Sequence, residues 1–201
     1  GRIQWLCCVE GDRVEAGAVA LRLDADELQA RLLEGKAAVL AAEEAVAQAR
    51  IAAENAVVAK EAASSGKDAA KAEEARALAL EKDTSANFQR AEGLFDGGYL
   101  SKRDLDSARS AYESNLALLN SAGARARSAE ANLRSAGFGI KAAEAAVAAA
   151  LAKKEAAAAQ VKVLNAQLSD TEVAAPFSGV VSYKAFESGE YVTPGAAVYT
   201  V

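Results

Sequence analysis

The two ends of the chain carry the same short sequence pattern, and this repeat restricts how the chain can fold. Residues 1–23 and 179–201 align without a gap, and both contain Gly-(Asp/Glu)-x-Val-x-x-Gly between short runs of β-prone residues. The alignment pairs three glycines of each copy: Gly1 with Gly179, Gly11 with Gly189, and Gly17 with Gly195. Glycines at such spacing suit tight turns between short strands. Each copy is therefore predicted to form half of a small β-domain.

A single copy of the repeat has too few strands to be stable in water. Two copies side by side could form a small β-sandwich. The segment between them must then leave this β-domain and return to nearly the same place. The repeat therefore predicts that the central part of the chain folds back on itself.

The central segment has the composition of helices. It contains no proline between residues 26 and 168, and the residues that dominate it (Ala, Glu, Lys, Leu, Gln and Arg) favour helix. Most of its apolar residues are alanines, which each remove little area from water. They suit a narrow seam between two helices better than a thick globular core.

The apolar residues of the central segment recur with a heptad period. Steps of three and four residues from Leu105 to Leu168 meet a polar residue only at Asn115 and Lys154, which predicts a coiled-coil seam. The first half shows the same period from residue 25 to residue 56. Its continued register then reaches charged residues, namely Lys60, Lys67, Glu74 and Glu81. This predicts a shift of the seam near residues 64–66.

Glycines and a capping pattern place the turn. Asp96-Gly97-Gly98 is the strongest helix breaker of the region, and Ser101-x-x-Asp104 resembles a capping box that opens a second helix. The arms on either side of the turn are almost equal in length, as the split repeat requires. Three glycines of the second arm predict local bending or a register change there: Gly123, Gly137 and Gly139.

Composition restricts the chemistry that the chain can perform. It has no histidine and a net charge of −5, which argues against a metal site and against general electrostatic binding of nucleic acid. Cys7 and Cys8 lack the spacing of a zinc or redox motif, and on a strand they would point to opposite faces. Neither is therefore an obvious partner for the other, and we expect two small apolar residues. No stretch approaches the roughly 18 apolar residues of a membrane span.

At this point the sequence resembles the membrane fusion protein family, the periplasmic adaptors of the haemolysin-secretion-D type. The first repeat, which ends in Leu23-Asp24, resembles the family's first half-lipoyl motif, and residues 171–181 resemble its re-entry into the second half. The resemblance implies a mostly α-helical fold, with a long antiparallel two-helix coiled-coil hairpin inserted into a split lipoyl-like β-sandwich. The expected divisions are residues 1–24, residues 25–170 with the tip near 95–101, and residues 171–201.

The resemblance extends to the hairpin tip. Adaptors of this family carry an Arg, a Leu four residues later and a Ser seven residues further, which here are Arg90, Leu94 and Ser101. In the family these residues bind the tip of an outer-membrane channel of the TolC type. Taken alone, the same residues would be a solvated charge, a side chain that packs the last helical turn, and an N-cap.

The resemblance implies an adaptor subunit without catalytic residues or cofactors. It would link an inner-membrane pump of the ABC, major-facilitator or RND class to the TolC-type channel, and six copies would assemble side by side. It would lie in the periplasm, held at the inner membrane by an anchor outside this chain. Some apolar residues off the seam would either serve lateral packing or be scattered surface residues: Leu40, Val57, Leu78, Leu118 and Leu151.

Two other functions are compatible with parts of the sequence. A biotinyl or lipoyl carrier domain needs a lysine at an exposed hairpin turn, and the repeats contain only Lys184, outside a recognisable attachment motif. A purely structural coiled-coil scaffold would explain the heptads, but it would leave the split repeat unexplained.

Overall fold

Two long helices lie between short β-strands in the chain. A computed structural model describes residues 1–200. The elements in chain order are β1 (Ile3–Leu6), β2 (Arg13–Val14), β3 (Val19–Leu23), α1 (Asp26–Asp96), α2 (Lys102–Ser169), β4 (Glu172–Ala174), β5 (Gly179–Val180), β6 (Tyr183–Lys184) and β7 (Tyr199–Thr200). The chain divides into two compact units. The β-containing unit comprises Gly1–Val46 and Ala149–Val201, and the all-helical unit comprises Ala47–Ala148.

In the β-containing unit, strands from both ends of the chain pair with each other. The strand β3 pairs antiparallel with both β1 and β4, and β2 pairs antiparallel with β5. The strands β6 and β7 form a further antiparallel pair. Strands that precede the helices are therefore hydrogen-bonded to strands that follow them. This pairing confirms the predicted insertion of a helical hairpin into a split β-domain.

The glycines of the two repeats have matching backbone conformations. Gly11 and Gly189 have φ angles of 94° and 95°, and Gly17 and Gly195 have φ angles of 85° and 86°. Residues with a side chain rarely adopt such angles, so glycine is required at these turns. The repeat found in the sequence is thus also a repeat of structure.

Hydrogen bonds between the two repeats are reciprocal. The Gly11 N–H donates to the Val181 carbonyl (2.9 Å), and the Gly189 N–H donates to the Ile3 carbonyl (2.8 Å). Ile3 and Val181 occupy equivalent positions of the two copies, and each side chain is only 1% exposed. The repeats are related by an approximate two-fold arrangement, and each copy supplies one of the two most deeply buried side chains.

Both helices keep one continuous heptad register. Every predicted seam position of α2 from Leu105 to Leu168 is at least half-buried, so of the two predicted alternatives for this arm, local bending or a register change, the register change is wrong. The predicted shift in α1 is also wrong, because Lys67, Glu74 and Glu81 are half-buried in the original register and Ala77 is buried. Lys60 is the exposed exception in this run.

Glycine in α2 explains how a charged residue fits the seam. A Cβ at Gly123 would lie 3.1 Å from Oε1 of Glu74. The Glu74 carboxylate therefore occupies the space that a side chain at position 123 would fill. Heptad arguments from one helix alone miss this, because the compensating residue lies on the other helix.

Contacts within each unit show that the helices run antiparallel. In the β-containing unit, the Lys154 ammonium lies 2.9 Å from the Glu43 carboxylate, so the polar seam position at Lys154 is paired across the helices. In the all-helical unit, the rings of Phe88 and Tyr112 are stacked with centroids 5.7 Å apart. The residue further along α1, Phe88, contacts the residue nearer the start of α2, Tyr112, as antiparallel helices require.

The structure differs from the expectation for the two cysteines. Cys7 and Cys8 are bonded to each other as a disulfide. Side chains of adjacent residues point to opposite faces only on an extended strand, and β1 ends at Leu6, before the pair. Outside the strand, the backbone can bring the two neighbouring sulfurs together.

The helix α2 also differs from the sequence-based expectation about hydropathy. Among the described residues, it is the one helix with an 18-residue window apolar enough to cross a membrane, with a mean hydropathy of 1.2. One such helix is weak evidence for a membrane span. Alanine-rich coiled-coil helices reach this value because alanine is counted as apolar, whether or not it lies in lipid.

Glycines in open positions of the helices provide a test of helix stability. A Cβ at Gly137 would meet no atom within 4 Å. Gly137→Ala should therefore raise the free energy of unfolding by about 0.5–1 kcal/mol, because alanine loses less conformational freedom in a helix. Denaturation followed by far-ultraviolet circular dichroism measures this change. Gly98→Ala is the contrasting variant. Gly98 has a φ of 78°, which alanine rarely adopts, so this substitution should lower the free energy of unfolding. An unchanged or lower stability of Gly137→Ala would contradict the prediction.

Candidate functional site at the hairpin turn

A Schellman motif ends α1 at the turn. The Tyr99 N–H donates to the Leu94 carbonyl (2.8 Å), and the Gly98 N–H donates to the Phe95 carbonyl (2.9 Å). The positive φ of Gly98, 78°, completes the motif. The turn therefore has a defined geometry, and the residues around it are held in fixed positions.

Ser101 caps the start of α2. The Asp104 N–H donates to Ser101 Oγ (3.3 Å), and the Ser101 hydroxyl donates to Asp104 Oδ2 (2.7 Å). In a standard capping box the side chain three residues after the N-cap accepts the backbone N–H of the N-cap residue. Here the Asp104 carboxylate instead accepts a hydrogen bond from the Ser101 hydroxyl. The N-cap role of Ser101 is thus visible in the structure, and both hydrogen-bonding functions of its hydroxyl are used within the chain.

Arg90 and Leu94 lie on the surface of the last turns of α1. They are four residues apart, which places them on one side of the helix, and both are exposed. The Arg90 guanidinium is hydrogen-bonded to the Asn87 side-chain oxygen. A guanidinium has five N–H donors, so this contact leaves others for a partner. The structure brings Arg90, Leu94 and Ser101 to the same turn region, and all three are exposed.

Two aromatic residues of the turn were missed by the sequence analysis. Tyr99 is 84% exposed and Phe95 is 37% exposed, and both adjoin Leu94 in the Schellman motif. The Tyr99 ring lies against Gly97, where an added Cβ would come within 2.9 Å of the ring. The signal in the sequence was the tyrosine directly after Gly97-Gly98, because the residue after a left-handed glycine commonly packs back on the helix.

Lys184, the lysine of the two repeats, is held in an ion pair. The Lys184 ammonium lies 2.7 Å from the Glu187 carboxylate, and its side chain is 17% exposed. The hydrogen bond with Glu187 raises the pKa of Lys184, which makes its amine less reactive. Residues 1–200 also contain no group of three or more His, Cys, Asp or Glu that could hold a metal ion.

Comparison with known proteins yields matches in structure. No family profile and no curated protein matches the sequence. The periplasmic adaptor protein EmrA matches 99% of this chain over 68% of its own length, with a TM-score of 0.53 and 17% identity. The soluble domain of LipC, a membrane fusion protein of a type I secretion system, matches 98% of this chain over 94% of its own length, with a TM-score of 0.64 and 14% identity. At these identities the comparison shows the fold. The chain therefore has the fold of the periplasmic adaptor, or membrane fusion, proteins.

Proposed function

We propose that this chain belongs to a periplasmic adaptor of a tripartite efflux or secretion transporter, which links an inner-membrane pump to a TolC-type outer-membrane channel. The observation that carries the proposal is the exposed set Arg90, Leu94 and Ser101 at the turn of an adaptor-like hairpin. Such a protein acts by binding and alignment, and no bond is made or broken. The pump would be of the ABC, major-facilitator or RND class. The adaptor would be located in the periplasm and anchored at the inner membrane.

Self-association of six copies would build the conduit between the two membranes. Exposed apolar residues support a lateral contact between hairpins. On α1 of the all-helical unit, Ile51 and Val58 lie one heptad apart on one side of the helix and are each at least 57% exposed. The apolar residues that the sequence left open between lateral packing and a scattered surface location are exposed as well: Leu40, Val57, Leu78, Leu118 and Leu151. Burying them between copies would add the stability that an alanine-rich seam contributes only weakly.

Photo-crosslinking tests where the channel binds. A photoreactive phenylalanine analogue at Tyr99 is expected to crosslink to a TolC-type channel in intact cells, because the ring is held outward at the turn. Phe138 is the matched control, since it is an aromatic residue of the same unit and is 68% exposed. Equal crosslinking of the channel from both positions, or crosslinking from position 138 alone, would disprove docking through the turn.

A further inference from the structure

The disulfide between Cys7 and Cys8 has no role in the adaptor function proposed above. These are the only two cysteines of the chain, and they are adjacent in sequence. They follow β1 directly, and both residues are partly exposed. When the bond is reduced, the two thiols stay on neighbouring residues, and because β1 ends at Leu6 their side chains are not held on opposite faces of a strand.

The surroundings of the pair are apolar and come from both repeats. The cysteines pack against the core cluster of Val14, Ala175 and Val181. The Tyr199 hydroxyl accepts a hydrogen bond from the Cys8 N–H (3.4 Å) and donates one to the Cys8 carbonyl (3.3 Å). The three core residues and Tyr199 also line a mostly apolar cavity of about 420 Å³. The backbone of the pair is thus held in place from the second repeat.

We propose that Cys7 and Cys8 form a reversible disulfide whose reduced form chelates trivalent arsenic compounds that carry one organic substituent. In the first step, a dithiol or phosphine reductant transfers two electrons to the disulfide, and each sulfur gains a proton. In the second step, the two thiols react with R–As=O, two As–S bonds form, and the oxygen leaves with both thiol protons as water. The product is a ring that contains arsenic, both sulfurs and the peptide unit between the residues.

The number and softness of the ligands favour this class. Thiolates are soft ligands that prefer soft, thiophilic partners. A structural zinc ion takes four protein ligands, whereas the chain has no histidine and residues 1–200 offer no group of three suitable donors. Arsenic with one organic substituent needs only two thiolates. Its organic group would also lie beside an apolar cluster, where a hydrated divalent ion would lose solvation.

Phenylarsine oxide is a suitable probe. After reduction by a phosphine and removal of the excess, the full chain should bind one phenylarsenic group, detected by intact mass, and both thiols should then resist alkylation. A dithiol in solution should displace the group, while a monothiol at equal concentration should not. Without reductant, neither the adduct nor alkylation of the cysteines is expected.

Single-cysteine variants separate chelation from simple thiol binding. Cys7→Ser and Cys8→Ser should each bind the arsenical at least about 10²-fold more weakly, because the second thiol acts at a high effective concentration. Circular dichroism and the fluorescence of Trp5, the single tryptophan, confirm that the variants are folded. Equal retention of the arsenical by a variant and the parent, or alkylation of both cysteines in the untreated protein, would overturn the proposal. The result is independent of channel binding.

Discussion

Arg90→Asp is expected to weaken binding of the chain to a TolC-type channel by roughly 10- to 100-fold. Arginine side chains often contribute strongly to interfaces, and a reversed charge also adds repulsion where the parent has attraction. Arg90 is exposed and sits on the same side of α1 as the exposed Leu94. The substitution should therefore leave folding unchanged, which circular dichroism can verify. Affinity for the purified channel is the measurement, at low and high salt, because screening should weaken the parent more than the variant.

The chain contains a closely matched control for this substitution. Arg76 and Leu80 repeat the spacing of Arg90 and Leu94 two heptads earlier on the same helix, and the Arg76 side chain is 79% exposed. Arg76→Asp changes the net charge equally, so it should alter channel binding by less than about twofold. If Arg76→Asp and Arg90→Asp weaken binding to the same extent, a general charge effect explains the data and the specific role of Arg90 is wrong. Ser101→Arg is less informative, since Ser101 also caps α2.

The elements that sequence analysis predicted well depend on local or self-contained signals. The gapless repeat predicted that both ends meet, because glycines such as Gly11 and Gly189 need the same turn conformation in both copies. Asp96-Gly97-Gly98 predicted the turn correctly, because the residue that ends α1 has a left-handed conformation, and that residue is Gly98. For the turn residues, the spacing of Arg90, Leu94 and Ser101 indicated where they lie, but exposure and hydrogen bonding of each side chain required the structure.

The elements that were predicted wrongly depend on residues distant in sequence. Glu74 looked incompatible with a seam, but Gly123 on the other helix leaves room for its side chain. The disulfide was missed because the end of β1 at Leu6 is set by its pairing with β3 and not by the cysteines themselves. The fixed position of Tyr99 likewise depends on the missing side chain of Gly97, a contact that no period in the sequence reveals.

Val181→Ala is expected to destabilise the β-containing unit by about 1.5–3 kcal/mol. The Val181 side chain is 1% exposed and belongs to the core cluster with Val14 and Ala175, so truncation removes buried apolar area and leaves a void. Trp5 is the single tryptophan and lies on β1, so its fluorescence reports unfolding of this unit. The fluorescence transition should move to lower denaturant, while circular dichroism, dominated by α1 and α2, should change less.

Two further substitutions test whether burial of the side chain causes the loss of stability. Ile3 occupies the position equivalent to Val181 and is equally buried, so Ile3→Ala should destabilise the same unit by about 2–5 kcal/mol. Val180 adjoins Val181 but is 53% exposed, and Val180→Ala should change stability by no more than about 0.5 kcal/mol. If Val180→Ala and Val181→Ala have equal effects, burial is not the cause. If Val181→Ala is neutral, the two repeats do not depend on each other for stability. The β-domain would then not require the helical hairpin to bring the two ends of the chain together.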